Sequence, residues 1–363
     1  MKQQIHELLN QAQALPDGLA KADLTREAVR LADLSQDLEL QFEARLKHVA
    51  ATNFAGLPAE TIVAFTWLLN HREAYGDQQD YLLLWSYKWI LGSVICIADF
   101  SREQVDYFMA DARKRFTAFL GPETPPIDSY EVDYRIQRGD FEEARRLLEK
   151  LMTARRGRLS NCKACEDSGH ASNWFQVGDV GKALEIHDAF VKSRLECTEE
   201  PVRANCQAAL FYAVAGRWED AGMMYKAGMA KAGRTTHLML YCALYGVAYK
   251  LLAGREDDAV ALFDRSLGIY METIEKWCTF EFYLISHRVM ERLMEKGKKV
   301  IRLRSADRLP MADGKSCVAL PELSAWLLGE ATVIGRKFDT RNGADYFAKR
   351  IEARWPFLLG APD

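Results

Sequence analysis

Four cysteines near the middle of the chain have a spacing that could hold a metal ion. Cys162 and Cys165 form a Cys-x-x-Cys pair, and two thiolates at this spacing suit one tetrahedral Zn²⁺. Two further ligands are needed to complete such a site. The candidates are Cys197 and Cys206, with His170 or His187 as substitutes. A zinc ion held in this way would be structural.

The Cys-x-x-Cys pair also has two interpretations without zinc. The two cysteines could be plain thiols that lie at the start of a helix. They could also form a redox pair, but that chemistry is typical of a βαβ setting, which the sequence pattern does not show. The structural zinc and the plain thiols therefore stay open as alternatives, and the redox pair is disfavoured.

The cysteines lie in a chain organised by a recurring Gly-x-x-x-x-Ala element between two amphipathic stretches. The element occurs at Gly139…Ala144, Gly178…Ala183, Gly216…Ala221 and Gly254…Ala259. Glycine can take the left-handed conformation that closes one helix, and the small alanine lets the next helix pack closely against it. Because the four elements recur at an almost constant interval, we predict a helical repeat array.

The same period places Cys197 close to the repeat equivalent of Cys162. One repeat after Cys162 falls at Glu200, so Cys197 lies near the matching edge of the next unit. Adjacent helices pack about 8–10 Å apart, a gap that loop ligands around one metal ion can span. The predicted zinc would therefore connect the second unit to the third.

These elements resemble the tetratricopeptide repeat (TPR), whose signature is Gly-Asp/Arg-aromatic-x-x-Ala. Phe141 and Trp218 match the aromatic position, whereas Val180 and Glu256 depart from it. The period here is also longer than the one usual for that repeat. The resemblance covers about residues 125–275. It implies a solenoid of helix pairs wound into a right-handed superhelix, with a concave face that receives peptides or partner proteins.

Further motifs resemble a family of uncharacterised bacterial TPR-containing proteins. They are a Cys-x-x-Cys pair, a Gly-Asp repeat and a third cysteine before a proline-led helix, together with residues 338–343 and 85–90. The resemblance covers most of the chain and implies no particular activity. In that family a histidine follows the proline, whereas Val202 follows Pro201 here, so Cys206 would have to replace that ligand.

Composition and patterning predict an all-α chain. Hydrophobic residues make up 49% of the sequence and Pro is scarce, with ten residues, and few alternating runs suggest strands. We predict about six helix-pair units, the early ones degenerate, with Thr61 in the alanine position after Gly56. The predicted regions are an N-terminal helical region with degenerate repeats (1–122), regular repeats (123–295), and a basic linker with a C-terminal helical cap (296–363).

The concave face of such a solenoid is the expected partner-binding surface. Residues in equivalent repeat positions should form a groove that is polar at one end and apolar at the other. The predicted groove residues are Asp133, Gln137, Ser172, Gln176, Leu210, Val214 and Leu252. Such a groove suits an extended peptide or a partner helix. The alternative is that the apolar positions belong to the core and that this register is shifted.

Charge and targeting signals narrow the class of protein. The net charge of −3 and the pI of about 6.2 argue against a general attraction to nucleic acid or anionic membranes. The first residues do not begin a signal peptide, and no apolar run approaches the length of a membrane span. Eight cysteines without a secretion signal predict a reducing, cytoplasmic location.

We therefore predict a cytoplasmic, non-catalytic scaffold or adaptor that binds a protein or peptide partner. One alternative is a hydrolytic or other enzyme that uses the cysteine cluster or the turn containing Asp339 and Arg341. Another is a nucleic-acid-binding protein that uses the basic segment 296–308. No recognisable hydrolase elbow, phosphate loop, dinucleotide fingerprint or zinc-protease motif occurs in the sequence.

Overall fold

The described part of the chain consists mainly of α-helices. A computed structural model describes residues 1–74, 80–233, 235–311 and 316–353; the remaining positions, which include the end of the predicted C-terminal cap, lie outside the described residues. The helices are α1 (Lys2–Ala14), α2 (Leu19–Ser35), α3 (Leu38–Ala55), α4 (Pro58–Asn70), α5 (Asp80–Cys96), α6 (Arg102–Leu120), α7 (Pro125–Ile136), α8 (Phe141–Thr153), α9 (Lys163–Gln176), α10 (Val180–Ser193), α11 (Val202–Val214), α12 (Trp218–Ala232), α13 (Thr236–Leu252), α14 (Glu256–Glu272), α15 (Lys276–Glu295), α16 (Leu320–Asn342) and α17 (Tyr346–Glu352). The prediction of an all-α helical solenoid is confirmed.

The four Gly-x-x-x-x-Ala elements join their helices in one common way. Their glycines have φ values of +72°, +89°, +75° and +67°, the left-handed region that glycine enters without steric cost. The N–H of the residue after each glycine donates to the carbonyl five residues earlier, as from Asp140 to Arg135 at 3.0 Å and from Arg217 to Tyr212 at 2.8 Å. The four alanines are fully buried. These turns pair α7 with α8, α9 with α10, α11 with α12, and α13 with α14.

Two less regular pairs precede them. Gly56 ends α3 with φ of +74°, and Thr61 of α4 is 1% exposed. The Thr61 hydroxyl donates to the Thr52 hydroxyl oxygen at 2.9 Å, which satisfies a polar group in the position that alanine holds elsewhere. The next pair is α5 with α6, and Val105 of α6 is fully buried. Helices α3 to α14 thus form six consecutive pairs.

The array curves until its later helices contact an early one. The Ser93 hydroxyl of α5 donates to Glu275, just before α15, at 3.3 Å. Arg341 of α16 donates to the carbonyls of Ile95 and Ile97, both at 3.1 Å. Because residues so distant in sequence meet here, the first helices of the pairs surround a common central space.

The basic segment after α15, named as a linker from its sequence, contains a short strand and packs against α14. Residues Val300–Arg302 form strand β1, which pairs antiparallel with β2 (Cys317–Ala319). The ammonium group of Lys296 bonds to Glu256 at 2.6 Å, and Arg308 bonds to Glu272 at 2.8 Å. The segment lies against α14 because that helix supplies carboxylates for several of its cations.

Candidate functional site

A central cavity of about 460 Å³ lies on the inner side of the array. Its wall comes from α3, α5, α7, α9, α11 and α13, which are the first helices of the six pairs, and from the start of α15. One row of polar residues crosses the wall at the repeat period. The row consists of Ser129, Ser168, Gln207 and Tyr245. Equivalent residues of successive repeats therefore lie next to one another on the cavity surface.

Aromatic rings and one buried lysine form the side of the cavity next to α5. Trp85, Trp89 and Tyr130 line it. The Lys88 ammonium lies 3.4 Å from the centre of the Trp85 ring and donates to the Asn161 side-chain oxygen at 2.8 Å. Burial lowers the pKa of Lys88 to about 8. Lys88 thus orders the segment before α9 and keeps a cation–π contact.

Two carboxylates on the wall accept hydrogen bonds from neutral groups. The Asn173 amide donates to Asp133 at 2.9 Å, and burial raises the pKa of Asp133 to about 6. The hydroxyls of Ser93 and Tyr241 donate to Glu275 at 3.3 and 3.4 Å, and burial raises its pKa as well. Both groups would gain from a positively charged ligand, because a cation would favour their ionised form.

A charged network forms another part of the cavity wall. The Arg203 guanidinium bonds to Glu200 at 2.9 Å and lies 3.4 Å from Glu199. His237 lies 2.9 Å from Glu199. Burial alone would raise the pKa of Glu199, but the attraction of Arg203 and His237 lowers it to about 2. These residues therefore form a paired and ionised wall.

Three thiols meet at one end of the cavity. The Sγ atoms of Cys162, Cys165 and Cys197 all lie within 4.8 Å of one another, and those of Cys165 and Cys197 are 3.4 Å apart. The hydrogen bond from Cys165 lowers the pKa of Cys197 to about 6, and the same bond with burial raises that of Cys165. Three thiolates at these separations could hold Zn²⁺, which stays a prediction.

The residues predicted as further metal ligands, Cys206, His170 and His187, lie outside the thiol group in the described ranges. Cys206 is fully buried, and its Sγ lies 3.8 Å from Met229 Sδ on α12. It points between two packed helices because it lies well inside α11, away from the loop that carries Cys197. His187 is buried against the Tyr212 hydroxyl at 3.1 Å. Neither it nor His170 belongs to the thiol group in the described part of the chain.

The predicted groove residues divide into two sets. Asp133, Gln137, Ser172 and Gln176 all line the cavity. The apolar residues do not line the cavity and fit the alternative that these positions belong to the core. Leu210 is 1% exposed and near Phe175 and Leu244; Val214 and Leu252 pack against the main hydrophobic cluster.

Asp339 and Arg341, predicted to lie in a turn, belong to the last turn of α16 and hold helix ends with their side chains. Asp339 accepts hydrogen bonds from the N–H groups of Phe347 and Ala348 at 3.0 and 2.9 Å, at the start of α17. Arg341 is 6% exposed and bonds to the carbonyls that end α5, as described above. This geometry gives no support to a catalytic role for Asp339 and Arg341.

Several wall residues were not predicted from the sequence. Arg203, His237 and Glu275 lie outside the Gly/Ala elements, and no motif marks them. Lys88 lies within the segment 85–90, which carries the family resemblance, but that resemblance implied no role for it. The polar row that begins at Ser129 could have been found, since its members recur at the same interval as the Gly/Ala elements.

Comparisons with known proteins add no assignment. No protein-family model matches the chain, and no curated protein sequence is similar to it. The helices in the described ranges are also too short or too polar to cross a lipid bilayer.

Proposed function

We propose that this chain is a non-catalytic binding module whose protein or peptide partner inserts a short segment into the central cavity. The cavity itself carries this proposal. Its volume of about 460 Å³ falls within the usual range of ligand pockets, roughly 300–1,000 Å³. It also combines aromatic faces with a few polar groups, as ligand sites generally do.

The charges of the wall favour a segment with a cationic side chain. Arg203 and His237 already pair with carboxylates of the wall. Asp133 and Glu275 instead accept hydrogen bonds from amide and hydroxyl groups. A lysine or arginine of the partner would supply them with a positive charge and so favour their ionised form.

We also propose that the thiol cluster holds Zn²⁺ with a structural effect. Cys165 belongs to α9 and Cys197 to the loop before α11. A metal ion between them would connect two consecutive units across one side of the cavity. It would thereby fix the position of the wall that receives the partner.

Gly169 allows this function to be tested with a matched pair of variants. It lines the cavity within α9, and a Cβ added there would have no neighbouring atom within 4 Å. Gly169→Leu should therefore fill part of the cavity without disturbing its wall. Gly169→Ala adds only one methyl group and serves as the control.

Random peptides displayed on phage would be selected on the immobilised full-length protein. Binding of the selected peptides would be followed by tryptophan fluorescence, since Trp85, Trp89 and Trp277 line the cavity. We expect peptides with a cationic residue, and an affinity that falls by about tenfold or more, or at least about 1.4 kcal/mol, in Gly169→Leu but not in Gly169→Ala. Equal binding to Gly169→Leu, or no selected peptide, would count against the proposal.

A further inference from the structure

The thiol cluster is built from two turns of the same kind. The N–H of Cys165 donates to Cys162 Sγ at 3.4 Å, and the N–H of Glu200 donates to Cys197 Sγ at 3.4 Å. In both turns the sulfur of one residue accepts from the amide three positions later. Paired turns of this spacing supply four metal ligands when both end in a ligand. The fourth ligand position therefore corresponds to Glu200.

The Glu200 carboxylate takes part in other interactions. Its side chain has no exposed surface. One oxygen accepts from the Ala204 N–H at 2.8 Å and the other from Arg203 at 2.9 Å. These bonds hold the carboxylate at the first turn of α11, where it also compensates the helix dipole. Within the described ranges, the group of converging ligand atoms contains the three thiols alone.

All three thiols line the central cavity. A metal ion bound to them would have three protein ligands and one remaining coordination position. In zinc proteins, an open position is typical of sites that bind a further molecule, whereas purely structural sites have four protein ligands. The position next to the cavity is therefore available to whatever the cavity holds.

We propose that Cys162, Cys165 and Cys197 form a three-thiolate metal site whose fourth ligand is an imidazole supplied by the molecule in the cavity. This inference rests on the proposed function and adds a histidine to the inserted segment. Each thiol loses its proton to solvent when the metal binds. The imidazole binds as a neutral base through the lone pair of one ring nitrogen.

Charge selects imidazole over a carboxylate. Three thiolates and one Zn²⁺ carry a net charge of −1, which Lys88 of the wall partly offsets, whereas Arg203 already pairs with Glu199 and Glu200. Asp133 and Glu275 place further negative charge on the same cavity. A carboxylate ligand would add another negative charge, whereas an imidazole adds none. The resulting Cys₃His ligand set is one that Zn²⁺ commonly takes.

Cobalt(II) provides a direct test, with imidazole as the probe. The full-length protein would be freed of metal by chelation and titrated with Co²⁺, whose absorption reports thiolate coordination and geometry. We expect one Co²⁺ per chain and a saturable spectral change when imidazole is added. Cys162→Ser should weaken Co²⁺ binding by about tenfold or more. Cys317→Ser removes an exposed cysteine of β2 and should leave binding unchanged.

Three outcomes would overturn the inference. They are a failure to bind Co²⁺, a spectrum that does not respond to imidazole, and a spectrum of the imidazole-free protein that changes in Glu200→Gln. The last would show that Glu200 is the fourth ligand. An imidazole response without any peptide binding would uphold the metal site and reject the proposed function. Selected peptides whose binding is the same with and without metal would uphold the proposed function and reject a metal site that contributes to it.

Discussion

The buried ion pair between Glu281 of α15 and Arg350 of α17 should make the largest single contribution to the stability with which α17 packs on the fold. The guanidinium donates to both carboxylate oxygens, and each side chain is only 5% exposed. Arg350→Met keeps most of the side-chain volume and removes the charge. Glu281 then stays buried without its ionic partner, a change that typically costs about 3–5 kcal/mol. We expect a loss of this size in the free energy of unfolding, measured by urea denaturation at pH 8.

The loss in Arg350→Met should depend on pH. Burial raises the pKa of Glu281, and Arg350 opposes that shift, so the variant has a still higher pKa in the folded state. A carboxyl whose folded pKa is raised destabilises the fold progressively as pH rises from its unfolded pKa, near about 4.3, to its folded pKa. Most of the loss should therefore disappear at pH 4, where Glu281 is largely neutral in both states.

Two further variants make the reasoning refutable. Lys349 forms an exposed pair with Asp345 on the same helix, at 2.8 Å, and Lys349→Met should cost no more than about 1 kcal/mol. The double variant Glu281→Leu/Arg350→Met removes both buried charges and should recover most of the stability. A loss in Arg350→Met that matches Lys349→Met, or that is the same at pH 4 and pH 8, would show that the buried charge is not the cause.

Three more predictions follow from the site and its surroundings. Chelation should lower the melting temperature of the zinc-loaded protein but not that of Cys165→Ser. Equal effects on both proteins would argue against metal binding by the thiol cluster. Gly228→Ala would place a Cβ 2.5 Å from Cys206 Sγ, and we expect urea denaturation to show a loss of about 1–3 kcal/mol, whereas Gly329→Ala, which meets no atom within 4 Å, should not destabilise. The pKa of Asp133 is raised to about 6, so its ionisation disfavours folding as pH rises. The melting temperature of Asp133→Asn relative to wild type should therefore increase from pH 4 to pH 7. A difference in melting temperature that does not change with pH would contradict this.

The helix pairs could be predicted because their determinants are local. Gly139 and Ala144 specify one turn and one close contact within a single short segment, and the same combination recurs at a constant period. The closure of the array could not be predicted in this way. Arg341 meets Ile95 and Ile97, and nothing near any of these residues in sequence indicates the others.

The thiol cluster shows what a repeat period in the sequence can predict and what it cannot. Cys162 and Cys197 meet because one repeat brings equivalent edges of neighbouring units together. Cys206 does not join them because the direction of its side chain depends on its position in the turns of α11. A period of whole units does not specify that position. The groove prediction has the same weakness. Asp133 and Ser172 line the cavity, but the equivalent residues Leu210 and Ala248 of the next two units are buried in the core. The row that begins at Ser129, one turn before Asp133, lines the cavity in all four units.

The contact between Arg341 and the end of α5 also bears on how the protein is made. In an open repeat array each unit depends only on its neighbours, so the first units can fold and bind while the rest is still being synthesised. Here the cavity wall includes residues from Asn53 to Trp277, and the closing hydrogen bonds come from α16. The cavity therefore reaches its final form only after α16 has left the ribosome. A nascent chain would therefore lack the complete cavity until late in synthesis, and the cavity would form together with the rest of the fold.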